Sequence, residues 1–204
     1  MSKRDLIIAM VGAGGDGIVT MGDLLSQAGA REGLNVMKTE AYGPQIRGGE
    51  SSCVVRLSPE PFFEQGDFVD VLLVFSWADF ARFKGEILPD PGAVVLFDAA
   101  DAATPSSPAS LGLGQASHWL AVPFAKLATD AGAKGSKNLV GLGVLAALFG
   151  LPAATLRRAI ERRFGRKKPA LAEGALKAFD SGVAQAATLP AMPERRLSFE
   201  PGPS

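Results

Sequence analysis

The residues best suited to chemistry in this sequence form a glycine-rich turn directly after a short apolar run. Gly12, Gly14 and Gly17 match the pattern G-x-G-x-x-G, and residues 6–11 before them are apolar. Such a turn between a strand and a helix makes an anion site, because glycine lets the backbone approach a ligand and the helix start offers unpaired N–H groups. The pattern carries more weight here because an amphipathic helical segment follows it.

A second turn-rich segment, residues 40–50, is unlikely to be regular structure and is predicted to follow the second strand. Its candidate ligand contacts are Tyr42, Gly43, Pro44, Arg47, Gly48 and Gly49. Arg47 could bind a phosphate or carboxylate with two parallel hydrogen bonds. The alternative is a structural turn in which Arg47 pairs with an acid such as Glu50. Because the two glycine-rich loops are predicted to follow adjacent strands, we expect them at one edge of the sheet, where open α/β folds bind ligands.

Two acidic residues bear on whether the first turn binds a dinucleotide. Glu40 stands near the predicted end of the second strand, where an NAD-binding domain places an acid that accepts from a ribose hydroxyl. It could equally flank the loop without a ligand. Asp16 lies inside the turn, and a carboxylate there would repel a diphosphate, which counts against a simple NAD site.

Composition limits the classes of function. The chain has 204 residues, enough for one domain with a core or one domain plus a tail. Lys+Arg and Asp+Glu balance at 21 each, which gives no support to nucleic-acid binding. No apolar run is long enough to span a membrane and no signal peptide is predicted, so we expect a cytoplasmic protein. One cysteine, Cys53, and one histidine, His118, cannot build an iron–sulfur cluster or a Cys/His zinc site.

Apolar runs alternate with helical periodicity along the chain and predict an α/β fold: a Rossmann-like open, mostly parallel sheet with helices on both faces. The predicted strands are residues 6–11, 34–39, 51–57, 69–75, 93–97 and 119–122. The predicted helices are residues 18–32, 77–87, 123–132, 138–149, 153–164 and 171–186. Cys53 is expected to be a buried small hydrophobe, and His118 to lie in a loop or on the surface.

Three later segments carry their own predictions. Residues 138–149 are apolar nearly all round, which indicates a buried helix, and the glycines at 141 and 143 suggest a close packing neighbour. The basic segment 157–168 favours a solvated or partner-facing surface over a phosphate site. The proline-rich tail, residues 189–204, is expected to be extended, either wrapping on a partner or disordered. We therefore divide the chain into a domain of residues 1–188 and this tail.

The two glycine motifs, in this order and at this separation, closely resemble the gamma subunit of 2-oxoacid:acceptor (ferredoxin) oxidoreductases, nearest the 2-oxoglutarate-like branch. The resemblance covers about residues 5–185 and continues through residues 55–58, 70–72, 92–98, 137–138 and 142–143. The same module occurs fused to the alpha subunit in the 2-oxoglutarate type. Family members often have Gln where Asp16 stands, and the tail lies outside the resemblance.

The resemblance implies a subunit that is not catalytic alone. The family decarboxylates a 2-oxoacid on thiamine diphosphate with Mg²⁺, passes electrons through [4Fe-4S] clusters and releases an acyl-CoA. Those cofactors are expected in alpha, beta and delta-type partner subunits, with ferredoxin or an NAD-linked flavin subunit as acceptor. The gamma module is expected to pack on the thiamine-binding subunits and to help hold coenzyme A.

The residues expected to contribute to the coenzyme A site are Gly12, Gly14, Gly15, Asp16, Gly17, Tyr42, Gly43, Pro44, Arg47, Gly48, Gly49 and Asn138. Arg47 is the candidate for an anionic contact, and Asn138 is a further polar candidate. No residue of the chain is expected to perform covalent or acid–base catalysis. Two alternatives stay open: a self-standing NAD(P)- or FAD-binding oxidoreductase, and a purely structural subunit.

Overall fold

A mixed β-sheet organises the molecule. The computed structural model describes residues 5–44, 49–101, 111–114, 116, 118–165 and 169–199, and within these ranges six strands form one sheet in the order β2-β3-β1-β4-β5-β6. The strands are β1 Leu6–Ala13, β2 Asn35–Tyr42, β3 Glu50–Ser58, β4 Val69–Val74, β5 Pro89–Asp98 and β6 His118–Val122. The predicted α/β fold class is confirmed.

Strand β3 alone in this sheet runs against the others. It pairs antiparallel with both β1 and β2, whereas β1–β4, β4–β5 and β5–β6 are parallel. The prediction that the two glycine-rich loops follow adjacent strands is therefore wrong, because β3 lies between β1 and β2. The prediction for residues 40–50 also needs correction: β2 continues to Tyr42 and β3 begins at Glu50, since the two strands form a hairpin.

Six α-helices within the described ranges cover the two faces of the sheet. They are α1 Ile18–Arg31, α2 Trp77–Phe83, α3 Phe124–Asp130, α4 Lys137–Phe149, α5 Ala153–Gly165 and α6 Pro169–Ala186. Successive residues of a strand point to opposite faces. Leu6, Ile8 and Met10 accordingly pack in the core formed with α1 and α3–α6, whereas Ile7, Ala9 and Val11 pack in the core that contains α2.

Helices α4 and α6 approach each other closely because glycine stands at both contact points. A Cβ on Gly143 would lie 2.0 Å from the carbonyl oxygen of Phe179, and a Cβ on Gly182 would lie 2.0 Å from that of Val140. Any side chain at either position would force the helices apart. The close neighbour predicted from the glycines of α4 is therefore confirmed, and that neighbour is α6.

The first part of the proline-rich tail packs on its own domain, in contrast to the extended or disordered segment expected from the sequence. Met192 and Leu197 are buried, and the backbone N–H of Leu197 donates to the carbonyl of Phe149 at 2.8 Å. Arg195, in a short 3-10 turn at Pro193–Arg195, forms ion pairs with the sheet. Among the helices of the described ranges, none has the length and hydropathy to cross a membrane.

Candidate functional site

The two glycine-rich loops meet at one end of the sheet. The backbone N–H of Gly14 donates to the carbonyl oxygen of Gly49 at 2.6 Å. Strand β3 makes this contact possible, because its first residue, Glu50, pairs with Ala13 at the end of β1 while its second pairs with Tyr42 at the end of β2. The expected shared position of the loops is thus observed, although the strands that carry them are not neighbours.

The second loop is only partly described. The N–H of Gly43 donates to the carbonyl of Glu50 at 2.8 Å, which closes the base of the hairpin. Pro44 and Gly49 stand at the two sides of the hairpin end. Arg47 and Gly48, which the sequence singled out, lie outside the described residues.

Asp16 turns back into the first loop. Its Oδ2 accepts a hydrogen bond from the N–H of Ala13 at 3.0 Å, and its own N–H donates to the carbonyl of Ala13 at 3.0 Å. A Cβ on Gly12 would come within 2.8 Å of that same Oδ2. The N–H groups of Ala13 and Gly14 are therefore both used within the protein, and the hollow of the loop is partly filled by the carboxylate of Asp16.

Helix α4 begins beside this loop and supplies two polar side chains. Lys137 Nζ lies 2.9 Å from Asp16 Oδ1 and 4.9 Å from the centre of the Phe75 ring. The Nδ2 of Asn138 donates to the carbonyl of Gly17 at 3.4 Å. Gly17 has φ +79°, and a Cβ there would lie 2.4 Å from Asn138 Nδ2. Glycine is therefore needed at this position both for the backbone conformation and for the space that Asn138 occupies.

Lys137 is a site residue that the sequence reasoning missed as a cation. It stands next to the predicted Asn138 at the start of the buried helix, and this adjacency was the available signal. Its side chain is 22% exposed, and its Nζ pairs with Asp16 of the first loop. The arrangement brings Lys137 and Asn138, from far along the chain, against the first glycine loop.

Acidic groups line the rest of this sheet end. Glu50 is buried and contacts Arg82, whose Nε lies 3.4 Å from its Oε1. Burial raises the pKa of Asp79, and this effect exceeds that of a hydrogen bond with Ser76, which lowers the pKa. Burial likewise raises the pKa of Asp98, although a hydrogen bond from the N–H of Ala100 acts to lower it. Lys137 and Arg82 bring positive charge to this end of the sheet, where they contact Asp16 and Glu50.

Glu40 has partners within its own strand. The Oε1 of Glu40 lies 2.5 Å from Lys38 Nζ, and the hydroxyl of Tyr42 donates a hydrogen bond to the Oε2 of Glu40. Lys38 Nζ also lies 2.5 Å from Asp23 Oδ1. The hydrogen bond from Lys38, followed by that from Tyr42, lowers the pKa of Glu40. The carboxylate is thus held by neighbours on the α1 face of the sheet, and Tyr42 itself is exposed.

The remaining candidate groups are engaged elsewhere. Cys53 is buried, as expected, and the exposed His118 begins β6. Arg157 pairs with Asp180, and Arg163 Nη1 lies 3.4 Å from an oxygen of Asp23, so α5 uses part of its charge within the protein. In the described part of the chain, His, Cys, Asp and Glu side chains form no group of three or more that could hold a metal ion.

Comparisons with known proteins agree on one family. The family described as pyruvate ferredoxin/flavodoxin oxidoreductase matches residues 7–185. The ketoisovalerate oxidoreductase subunit VorA of Methanothermobacter marburgensis is 34% identical over 167 residues, which cover 80% of this chain and 33% of that protein. The 2-oxoglutarate synthase subunit KorC of Archaeoglobus fulgidus is 29% identical over 181 residues, which cover 88% of this chain and 87% of KorC.

A solved structure gives the same result. The 2-oxoglutarate:ferredoxin oxidoreductase from Magnetococcus marinus, determined with 2-oxoglutarate, coenzyme A and succinyl-CoA bound, superposes with a TM-score of 0.83 at 31% identity. The match covers 98% of this chain and 34% of that chain. The chain thus spans about a third of the length of VorA and of the Magnetococcus polypeptide. With the family matched over most of its length, the chain belongs to the pyruvate ferredoxin/flavodoxin oxidoreductase family.

Proposed function

We propose that this chain is the gamma subunit of a multi-subunit 2-oxoacid:acceptor oxidoreductase and supplies part of its coenzyme A site. The observation that carries the proposal is the contact between Gly14 and Gly49, which joins two glycine-rich loops at one end of the sheet. Family membership supports it, as does the relative from Magnetococcus marinus that was solved with coenzyme A bound. The domain of residues 1–188 carries this function.

Coenzyme A carries phosphates and a neutral pantetheine arm, and the residues at the loops suit both. Lys137 and Arg82 can approach anionic groups, and the proposal adds Arg47 from the second loop. Asn138 and the loop backbone offer hydrogen bonds to uncharged amides. Coenzyme A supplies the thiol that accepts the acyl group, whereas this chain binds and orients it.

Decarboxylation and electron transfer belong to partner subunits in this proposal. One cysteine cannot ligate a [4Fe-4S] cluster, so the clusters reside in other chains, together with thiamine diphosphate and Mg²⁺. Alpha, beta and delta-type subunits supply these groups, and ferredoxin or an NAD-linked flavin subunit accepts the electrons. The proposal places the complex in the cytoplasm.

The two alternatives have less support than the proposal. A self-standing NAD(P) or FAD enzyme would use Glu40 and the first turn, but Glu40 is already held by Lys38 and Tyr42, and Asp16 occupies part of the turn. A purely structural subunit fits the contacts of Lys137 and Asn138 with the first loop, but the relative of 31% identity that was solved with coenzyme A bound supports a ligand-binding role.

Purification of the tagged chain from its own cells tests the assignment to a complex. We expect co-purification with subunits that contain thiamine diphosphate and iron–sulfur clusters, and coenzyme A-dependent oxidation of a 2-oxoacid. Recovery of the chain alone, with tight NAD(H) binding in an equilibrium titration, would favour the dinucleotide alternative.

Kinetics of the assembled complex test the coenzyme A site. Arg47→Ala and Lys137→Ala should each raise the KM for coenzyme A by roughly 10- to 150-fold, since each removes one charged hydrogen bond. Arg157→Ala is the matched control, because Arg157 pairs with Asp180 on the α5–α6 surface. Unchanged coenzyme A kinetics for both site variants, with intact assembly, would favour the structural subunit.

A further inference from the structure

A single arginine fixes the loop between β3 and β4, residues 59–68, at the end of the sheet opposite the glycine loops. The Nη2 of Arg56 lies 2.5 Å from Asp5 Oδ2, and its Nη1 donates to the carbonyl of Glu64 at 2.8 Å. The guanidinium also lies over the Phe62 ring, 4.4 Å from its centre. Arg56 is itself mostly buried in β3, so the loop is anchored to the sheet.

This anchored loop presents apolar side chains to solvent. Phe63 is 95% exposed and Phe68 is 50% exposed, and Leu88, which directly precedes β5, is 40% exposed. Phe68 and Leu88 are close to each other, because the N–H of Val69 donates to the carbonyl of Leu88 at 2.8 Å. An isolated exposed apolar residue needs no explanation, but several large ones at the same end of a sheet mark an interaction surface.

The anchoring gives the exposed ring a specific use. Covering an aromatic residue on an anchored backbone segment costs less conformational entropy than covering one on a free segment, and buried aromatic anchors are common energetic centres of protein interfaces. Because Arg56 contacts the residues on both sides of Phe63, at the Phe62 ring and the Glu64 carbonyl, the backbone that carries Phe63 is anchored before any partner arrives.

Charge defines the partner further. Residues 59–68 contain Glu60, Glu64 and Asp67 and no Lys, Arg or His. The loop that carries Phe63 and Phe68 therefore has acidic side chains and no basic ones. Its complement is an apolar pocket bordered by Lys or Arg side chains, because opposite charges at a rim orient the two partners and favour their association.

We propose that this surface docks into such a pocket on the companion polypeptide of the complex, the one that corresponds to the remaining two-thirds of the longer relatives. In VorA and in the Magnetococcus protein the matched region is about a third of one chain, so further polypeptide is available to cover it. The inference rests on the proposed function, and it places the docking surface on the end of the sheet away from the glycine loops.

The test measures, in the co-purified complex, how two serine substitutions of exposed apolar residues change association with the companion subunit. Phe63→Ser should weaken association with the companion subunit by roughly 30-fold or more, measured from dissociation on dilution, since it removes an interface anchor. Leu171→Ser is the matched control, because Leu171 is 53% exposed on α6, outside the proposed surface, and should associate as the wild type does. Asp67→Lys should weaken association and reduce its dependence on salt.

The outcomes separate this inference from the proposed function. The melting temperature of the Phe63→Ser chain should equal that of the wild type, because the ring is solvent-exposed, so lost association would not reflect unfolding. Wild-type affinity of the Phe63→Ser variant for the companion overturns the docking surface and leaves the proposed function intact. Failure of the wild-type chain to co-purify with any companion overturns both. A dimer of the isolated chain that dissociates on Phe63→Ser also overturns the inference, because a second copy would then be the occupant.

Discussion

Lys137 Nζ lies 2.9 Å from Asp16 Oδ1, and this ion pair ties the start of α4 to the first glycine loop. The two residues are 121 positions apart in the sequence, as are Gly17 and Asn138 beside them. The cation that an incoming phosphate would need is therefore already paired with a carboxylate of the same chain. In the proposed coenzyme A site, an anionic group that binds Lys137 would compete with Asp16.

Asp16→Asn tests this competition. The amide oxygen of Asn can still accept from the N–H of Ala13, but the negative charge beside Lys137 is gone. We expect the KM of the assembled complex for coenzyme A to fall by roughly 1.5- to 5-fold, the range for one partly exposed ion pair. An unchanged or raised KM, with normal assembly, would show that the ligand does not use Lys137.

The contact between α4 and α6 makes Gly182→Ala a sensitive test of the fold. The added Cβ would lie 2.0 Å from the carbonyl oxygen of Val140, so the helices must separate. We expect a loss of about 2–4 kcal/mol in the free energy of unfolding, measured by urea denaturation. Gly174→Ala on the same helix is the control, since its Cβ would meet only the Ala133 methyl at 3.7 Å. That control should be neutral or stabilising by up to about 1 kcal/mol, and similar losses for both variants would contradict the packing.

Burial raises the pKa of the Cys53 thiol to about 12, from an ordinary value of 9.0. Between these pH values the unfolded chain has lost the thiol proton while the folded protein keeps it, so the unfolded state binds fewer protons and stability falls as pH rises. The contribution of this thiol should decline by about 1.4 kcal/mol per pH unit in that range. Below pH 9 it should be constant.

Comparison with Cys53→Ala isolates this effect from other groups that titrate at high pH. The free energy of unfolding of the variant should fall less steeply above pH 9 than that of the wild type. In the native wild type the thiol should also react with a thiol reagent at pH 8 only as fast as the protein opens. Equal slopes for the two proteins, or rapid labelling of the native thiol, would contradict the burial.

Ion pairs of one arginine join the tail to the sheet. Arg195 Nη1 lies 2.9 Å from Asp70 Oδ1 and 2.9 Å from Asp90 Oδ2, and Asp70 is almost fully buried. Arg195→Met should lower the free energy of unfolding by about 2–4 kcal/mol, because it leaves a buried carboxylate without its arginine. Arg157→Met breaks the exposed pair with Asp180 and should cost at most about 1 kcal/mol. If thermal and urea unfolding show equal effects for the two variants, the tail is not held by this cluster.

Much of the fold could be predicted because its elements have local causes. The apolar run before Gly12 is β1, and the helical spacing from Ile18 onward is α1, which ends one residue before the predicted Glu32. The close helix contact at Gly143 could also be predicted, because glycines within an apolar helix indicate a closely packed neighbouring element. The hairpin of β2 and β3 could not be predicted, because antiparallel pairing depends on which strands meet in the sheet. The turn-forming residues within 40–50 also led to strand ends that were placed too early for β2 and too late for β3.

Only part of the candidate site could be predicted from the sequence. Asn138 was named from the sequence and does contact the first loop, at Gly17. Lys137 was not named as a cation, since its role depends on the distance of Nζ from Asp16, which no local pattern contains. Asp16 itself was expected to repel a diphosphate, but only the structure shows its carboxylate folded back on Ala13.

The sequence by itself determined the glycine turns, the succession of strands and helices, and the family, because backbone freedom, hydrophobic periodicity and motif order are properties of consecutive residues. Tertiary structure decided that β3 separates β1 from β2 and yet joins their loops, that Lys137 neutralises Asp16, and that Arg195 holds the tail on the sheet. These relationships connect residues distant in the chain, and burial and charge pairing set them only once the sheet order exists.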